Sequence, residues 1–227
     1  MSNSPPQVLL AEQKQFRLIP SVYPSINFFE DLVDASEMEM LWELEALTNE
    51  RLRQEAGDLF LVPPEDRVCG PGSSVVMAAF THIGKPSRFT DGSYGVYYAS
   101  LSLETGIRET VYHRERFLSA TQEDACELTM RVYEGNILKP LYDLKKPEYA
   151  CYHHPFHYAE SQQLGKVLRQ QQAFGILYRS VRHAGGECIA AFRPPAVSLP
   201  RPMAYLKYLW NGERITEVIS SKSVLTL

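Results

Sequence analysis

Several features that mark particular protein classes are absent from this 227-residue sequence. It has only four cysteines, which lie far apart and form no C-x-x-C pair: Cys69, Cys126, Cys151 and Cys188. That scarcity argues against a disulfide framework or a cysteine zinc site and favours reduced thiols in a cytoplasm, where we expect the protein. No apolar run approaches the roughly 18 residues of a membrane helix. The N-terminus lacks the charged-then-apolar order of a signal peptide.

Excess positive charge and the common nucleotide-binding loops are missing as well. The 23 Lys and Arg residues against 27 Asp and Glu give a net charge of −4, which argues against direct nucleic-acid binding. Without a G-x-G-x-x-G or Walker loop, neither a Rossmann nor a P-loop site is supported. His153, His154 and His157 are close in sequence, but no cysteine or second cluster accompanies them. A polar loop beside Pro155 is therefore favoured, and no metal site is predicted.

What is present is ordinary globular composition, with 44% hydrophobic and 22% charged residues. Residues 1–15 are predicted to form a flexible arm and residues 16–227 a single domain. Alternating or apolar runs predict strands at 15–19, 74–80, 94–99, 126–133, 175–178 and 188–192. Helices are predicted at 36–47, 50–56, 103–117 and 159–172. Asn211-Gly212 predicts a hairpin with a two-residue type I′ turn. Without regular βαβ alternation, the pattern indicates an α+β fold with a mixed or antiparallel central sheet.

Three residues within 22 positions carry the strongest chemical signal: Arg88, Tyr98 and Glu109. A guanidinium binds phosphate bidentately, and a tyrosine ring stacks on a flat heterocycle. A carboxylate stabilises a cationic sugar transition state. One strand and the following helix would bring these groups together, as the cleavage of a dinucleotide's glycosidic bond requires.

The helix that carries Glu109 has two distinct faces. At 100° per residue, Leu103, Ile107 and Val111 share a core-facing stripe, and Glu109 lies nearly opposite. A solvated glutamate is the ordinary interpretation of that position. Gly106 weakens the helix by roughly 1 kcal/mol, and a glycine is expected at this position if another group packs closely against the helix.

Each of the other candidates also has an ordinary interpretation. Arg88 precedes a turn, and its ordinary interpretation is a loop arginine that pairs with Asp91 or with nothing. Tyr97 and Tyr98 are consecutive in a strand, so one faces the core and the other a surface or cleft, and periodicity leaves open which. Ser180 follows a strand, as turn-formers and helix caps do. Because arginines flank it, a phosphate-binding hydroxyl is the alternative.

The order of several segments resembles one family. They are FRLIPSVYP (16–24), RF-x-D-G-x-Y-G-V-Y-Y-A (88–99), ETVYHRERF (109–117), YAESQQLG (158–165) and GILYRSVRHAGGECIAAFRPPAV (175–197). Together they make the sequence similar to the RES-domain family, which is named for an arginine, a glutamate and a serine. The similarity covers most of residues 16–215 and is closest to a longer branch with a helical insert, here about 27–67.

The resemblance implies a fold like the catalytic domain of ADP-ribosyltransferase toxins, with a mixed sheet, flanking helices and the N-terminal insert. It implies a toxin that consumes NAD⁺, splitting it with phosphate into ADP-ribose-1″-phosphate and nicotinamide. The alternatives are ADP-ribosylation of a specific protein and an inactive binding module of the same fold. NAD⁺ and phosphate are substrates in this scheme, and no prosthetic group is expected.

By position, the family's arginine, tyrosine, glutamate and serine correspond to Arg88, Tyr98, Glu109 and Ser180. A further arginine beside the dinucleotide corresponds to Arg17, with His82 as the competing position. The family also implies a helical antitoxin partner with a helix-turn-helix DNA-binding part.

Overall fold

The computed structural model describes residues 4–21 and 57–221. Within these residues nine strands form one sheet: β1 (Gln7–Val8), β2 (Lys14–Pro20), β3 (Tyr97–Ser100), β4 (Cys126–Asn136), β5 (Leu141–Asp143), β6 (Gly175–Arg179), β7 (Glu187–Ala191), β8 (Arg201–Trp210) and β9 (Ile215–Ser221). The same residues form three α-helices: α1 (Ser73–Thr81), α2 (Leu103–Thr121) and α3 (Ala159–Gln170). Short 3-10 helices cover Leu59–Leu61, Pro64–Asp66, Pro147–His153 and Pro194–Ala196.

The strand order across the sheet is β1-β5-β6-β7-β3-β2-β4-β8-β9. β5 and β6 pair in parallel, and the other neighbours pair antiparallel. A mixed, mostly antiparallel sheet with helices packed on it confirms the predicted α+β class. Among the described residues, no helix combines the length and hydropathy needed to cross a membrane.

The centre of the sheet has a weak seam. β2 pairs with β4 along its whole length, but it pairs with β3 only at Phe16↔Ser100. Beyond that pair the two strands separate, and the Arg17 guanidinium spans the gap by donating from Nη1 to the Tyr98 carbonyl at 3.1 Å. The sheet therefore consists of two halves that meet at one point and open into a cleft.

Helix α2 covers the half of the sheet that contains β2 and β4. Its first turn is capped by Ser102 Oγ, which accepts from the Thr105 amide at 3.2 Å. The predicted stripe of Leu103, Ile107 and Val111 packs against the buried cluster that includes Leu18 and Met130, as expected. That packing turns the opposite side of the helix toward the cleft.

The predicted strand at 74–80 is wrong, because this segment is helix α1. A short continuous apolar run is typical of both a buried strand and a buried helix, and periodicity alone does not separate them. Val76, Met77 and Phe80 are buried here at helical spacing. Gly72, just before the helix, has φ +90°, where glycine carries no steric cost.

The C-terminal hairpin is confirmed, but its turn type is wrong. β8 and β9 pair antiparallel around residues 211–214. Within residues 211–214 only Gly212 has a positive φ, of +99°, whereas a type I′ turn needs a positive φ at both central residues. Asn211 Oδ1 instead accepts from the amides of Glu213 and Arg214, both at 2.9 Å. The Asn211 side chain therefore stabilises the turn, and the positive φ predicted for Asn211 is not needed.

Two other boundaries differ from the predictions. The strand expected at 94–99 is the shorter Tyr97–Ser100. The sheet begins at Gln7, within the segment predicted to be an arm, because Gln7–Val8 pairs with β5. The helices predicted at 36–47 and 50–56, and most of the insert predicted at 27–67, lie outside the described residues.

Candidate active site

The opening between β2 and β3 is a cleft of about 420 Å³, within the size range of small-molecule sites. It is bounded by the two separating strands, helix α2, the loop before β3, the residue before α3, β6 and the loop after β6. Of the six sequence-predicted site residues, four line it: Arg17, Arg88, Tyr98 and Glu109. The structure therefore brings together residues that are 92 positions apart at the extremes.

Glu109 projects from α2 into this cleft and is half-buried rather than solvated. Ser180 Oγ donates a 2.5 Å hydrogen bond to Glu109 Oε1. The same Ser180 oxygen accepts from the amides of Arg182 at 3.1 Å and His183 at 3.0 Å. Within the described residues, Glu109 Oε2 makes no hydrogen bond. One carboxylate oxygen is thus fixed by the protein, and the other is available to a ligand.

The ordinary interpretation of Ser180 is confirmed, because its hydroxyl forms the turn after β6. The same hydroxyl also orients the Glu109 carboxylate. Phosphate binding by Ser180 stays a prediction. The contact with Glu109 was not expected from the sequence. It depends on a loop and a helix that are 71 residues apart, and no local pattern encodes it.

Arg88 is nine-tenths buried beside the cleft. Its Nη1 donates to the carbonyl oxygens of Tyr152 at 3.2 Å and His154 at 2.9 Å. Its guanidinium carbon lies 4.8 Å from the centre of the Tyr158 ring. Within the described residues, Nε and Nη2 have no hydrogen-bond partner. The ordinary interpretation, pairing with Asp91 or with nothing, is wrong. Asp91 accepts from Ser93 instead, and Arg88 is held by the two carbonyls.

Helix α3 fixes the loop that carries Arg88. Ser161 Oγ donates to the Arg88 carbonyl at 2.6 Å. Gly165 packs so closely that a Cβ there would clash with the Phe89 carbonyl. The small residues Ser161 and Gly165 therefore let α3 pack closely against the backbone of Arg88 and Phe89, and this packing fixes the position of the Arg88 loop.

The two consecutive tyrosines face opposite sides, which settles the alternative left open by periodicity. Tyr97 is fully buried, with the Arg17 guanidinium 4.3 Å from its ring centre. The Tyr98 ring lines the cleft. Its hydroxyl is 2.8 Å from Ser87 Oγ and accepts from the Phe89 amide at 3.0 Å. Burial raises the pKa of Tyr98 to about 12, so the hydroxyl is neutral near pH 7.

Arg17 and His82 compete for one position in the sequence prediction, and only Arg17 lines the cleft. Burial lowers the pKa of Arg17, but an arginine remains charged at neutral pH. His82 is the exposed residue at the end of α1, with Nδ1 3.1 Å from the Ala78 carbonyl.

Gly106 of α2 packs closely as expected, but against strands: a Cβ there would lie 2.7 Å from Ser100 Oγ.

Several cleft residues were not among the predicted site residues. His113 and Arg116 follow Glu109 by four and seven positions, so helical periodicity places them on the same face. Tyr158 and Tyr178 come from distant elements and had no local signal. Among the described lining residues, Glu109 is the only carboxylate, whereas the arginines are four: Arg17, Arg88, Arg116 and Arg182. The cleft therefore favours an anionic ligand over most of its surface.

No group of three or more metal-ligating side chains occurs within residues 4–21 and 57–221. In the histidine-rich loop, His154 Nδ1 accepts from the amides of Phe156 at 3.1 Å and His157 at 2.9 Å. That histidine therefore acts as a turn-forming residue in this loop.

Comparisons with known proteins show what this chain is similar to. A family model described as the RES domain matches residues 64–211, which include Arg88, Tyr98, Glu109 and Ser180. An uncharacterized protein of Sinorhizobium fredii, y4oC, is 29% identical over 202 residues, covering 88% of this chain and 84% of that protein. Among solved structures, a chain of the M. tuberculosis MbcT-MbcA toxin-antitoxin complex matches with a TM-score of 0.41 and 11% identity, over 56% of this chain and 72% of that one.

Proposed function

Since the chain belongs to the RES domain family, we propose that it is a toxin-type enzyme that cleaves the nicotinamide–ribose bond of NAD⁺. Inorganic phosphate is the proposed acceptor, and the products are nicotinamide and ADP-ribose-1″-phosphate. The observation that carries the proposal is a single cleft containing Arg17, Arg88, the Tyr98 ring and a carboxylate oriented by Ser180. These groups match the phosphates, the flat base and the sugar of a dinucleotide.

The binding step rests on the arginines. Arg88 uses Nη1 to hold itself to two backbone carbonyls, so Nε and Nη2 are the edge that meets a phosphate. A planar guanidinium donates two parallel hydrogen bonds from one edge to one phosphate group. Arg17 supplies a second positive charge from the seam of the sheet. The nicotinamide and its ribose then lie toward Tyr98 and Glu109.

The chemical step rests on Glu109. As the bond from C1″ to the nicotinamide nitrogen breaks, its electron pair stays with nicotinamide and the ribose becomes cationic. Glu109 stabilises that oxocarbenium-like state, and the fixed orientation of Oε1 preorganises its charge. Nicotinamide starts cationic and leaves neutral, so no general acid is needed, unlike in most glycosidases. A phosphate oxygen then forms the new bond to C1″.

The protein's partner in this proposal is the helical antitoxin implied by the family resemblance. Its binding would block the cleft and stop NAD⁺ loss until the antitoxin is removed. Such inhibition requires only that the antitoxin excludes the dinucleotide, and it leaves the protein's own fold intact.

The decisive experiment incubates the purified protein with NAD⁺ labelled in its ADP-ribose part, with phosphate and in phosphate-free buffer. We expect nicotinamide and labelled ADP-ribose-1″-phosphate in equal amounts, and slow turnover without phosphate. Labelled ADP-ribose in both buffers would instead identify water as the acceptor. Label on a protein from added cell extract would support ADP-ribosylation. Unchanged NAD⁺ under all conditions would contradict an enzyme and leave a binding module.

Ser180→Ala separates orientation of the carboxylate from phosphate binding. It removes a hydrogen bond to a charged group, which contributes roughly 1.5–3 kcal/mol, so we expect kcat to fall about 10- to 100-fold. The KM values for NAD⁺ and phosphate should change little. A raised KM for phosphate with normal kcat would instead assign the hydroxyl to phosphate binding. Ser93→Ala is the matched control, because Ser93 Oγ donates to Asp91 at 2.5 Å and lies outside the cleft.

A further inference from the structure

His153 makes two hydrogen bonds that define its protonation state. Its Nδ1 lies 3.0 Å from the Tyr149 carbonyl, and its Nε2 lies 3.1 Å from the Arg179 amide. A carbonyl oxygen only accepts, so Nδ1 carries the proton. A backbone amide only donates, so Nε2 is unprotonated. Both bonds exist together only in the neutral imidazole with its proton on Nδ1.

These two bonds join the segments that hold the opposite sides of the cleft. His153 lies between Tyr152 and His154, whose carbonyl oxygens hold Arg88. Arg179, at the other end, ends β6 and directly precedes Ser180, which orients Glu109. One imidazole therefore connects the backbone behind the arginine to the backbone behind the carboxylate.

We propose that neutral His153 is a positioning residue, which keeps Arg88 and the Ser180–Glu109 pair at a fixed distance and orientation. Its protonation removes this connection between the two sides of the cleft. The role rests on the proposed function, because the relative position of the two sides of the cleft matters only if one ligand contacts both of them. A proton on Nε2 would face the Arg179 amide with another donor, so that bond is lost. The result is an enzyme whose catalytic geometry fails in mild acid.

The surroundings of His153 oppose its protonation. Burial lowers its pKa, the Tyr149 carbonyl acts in the opposite direction, and the positive charges of Arg179 and Arg88 lower the pKa further. The Tyr178 ring, 6.4 Å away between ring centres, stays neutral because burial raises its pKa well above the usual value. The folded protein thus keeps the neutral form below the ordinary histidine pKa of about 6.5.

The sign of the pH effect follows from the lowered pKa. The unfolded chain takes up the His153 proton as the pH falls through about 6.5, whereas the folded chain does so only at lower pH. Stability from this residue is therefore complete above that range and decreases as the pH falls, levelling off below the folded pKa. The link between the two sides of the cleft breaks at the folded pKa.

His153→Gln tests the proposal, because an amide side chain can donate and accept but does not titrate. We expect the wild-type kcat/KM for NAD⁺ to fall on the acid side, and the Gln variant to lack that fall while keeping most activity near pH 7.5. His153→Leu, which makes neither bond, should lose roughly 3- to 10-fold near pH 7.5. His157→Gln, an exposed histidine in the same loop, is the matched control and should keep the wild-type profile.

A second histidine requires its own arm in this experiment. His113 lines the cleft, and desolvation lowers its pKa despite the attraction of Glu109. His113→Gln should keep the acid fall if His153 causes it. An acid fall that disappears in His113→Gln and persists in His153→Gln would overturn the proposal.

Amide exchange gives a readout that does not depend on turnover. In the wild type, the protection factor of the Arg179 amide should decrease as the pH falls through the folded pKa of His153. In His153→Gln it should not vary with pH over the same range. This difference is expected even if the protein proves inactive on NAD⁺, so failure of the proposed function and failure of this inference are distinguishable. Equal pH dependence of protection in both proteins would overturn the inference.

Discussion

Glu109→Gln is expected to lower kcat for nicotinamide release by about 10²–10³-fold, the usual cost of one preorganised electrostatic group. Glutamine has nearly the same size, and its amide oxygen can still accept from Ser180 Oγ, so the side chain keeps its position. Only the negative charge opposite the developing cation is lost. NAD⁺ affinity and the melting temperature should therefore change little. Steady-state kinetics, ligand titration and thermal unfolding measure these three quantities.

The matched control for that substitution is Glu104→Gln. Glu104 lies on the same helix, is exposed, and pairs with Arg108 at 2.8 Å outside the cleft. It should retain normal kcat. Full activity in Glu109→Gln would remove the carboxylate from the mechanism, whereas equal losses in both variants would point to damage to the helix.

The same pair of proteins tests the toxin role in cells. Wild-type protein produced alone in bacteria should arrest growth and lower cellular NAD⁺, whereas Glu109→Gln produced at the same level should do neither. Normal growth with abundant wild-type protein would contradict the toxin proposal. Because the variant keeps its fold, the comparison separates NAD⁺ loss from a general burden of expression.

Arg88→Lys is expected to raise the KM for NAD⁺ by roughly 10- to 100-fold, the equivalent of one or two charge-assisted hydrogen bonds. Lysine keeps the charge but has a single nitrogen. That nitrogen cannot donate to the carbonyls of Tyr152 and His154 and also present a two-donor edge to a phosphate. The kcat should fall too if the clamp orients the scissile bond. Initial rates over a range of NAD⁺ concentrations give both constants.

Arg169→Lys is the control for the arginine. Arg169 also lies over a tyrosine ring, 4.9 Å from the centre of Tyr94, but it is exposed and does not line the cleft. Its substitution tests the loss of a guanidinium–tyrosine contact without the loss of a ligand contact. An unchanged KM in Arg88→Lys would show that charge alone suffices at that position.

The sequence predicts those parts of the site whose geometry is set by residues close to one another in the chain. Helical periodicity places Leu103 and Ile107 against the core and Glu109 on the other side, and α2 follows it. Strand alternation separates Tyr97 from Tyr98 in the same way. Both patterns repeat within a few residues, so no knowledge of the rest of the chain is needed.

The parts that the sequence does not predict depend on distant contacts or on ambiguous runs. The apolar segment of α1 satisfies both helix and strand patterns, and tertiary packing decides between them. The partners of Arg88 are backbone carbonyls 64 and 66 residues away. Every residue has a backbone carbonyl, so the sequence does not indicate which ones Arg88 contacts. The contact between Ser180 and Glu109 is likewise a product of the fold.

The seam of the sheet has a consequence for dividing the chain into fragments. The family model covers residues 64–211, yet β2 lies outside that range and sits between β3 and β4 in the middle of the sheet. A fragment cut at those limits would leave both neighbouring strands with unpaired edges, which are sites for aggregation. It would also lack Arg17 and one wall of the cleft. The limits of the family-model match are therefore not folding boundaries, and β2 belongs to any autonomous unit of this protein.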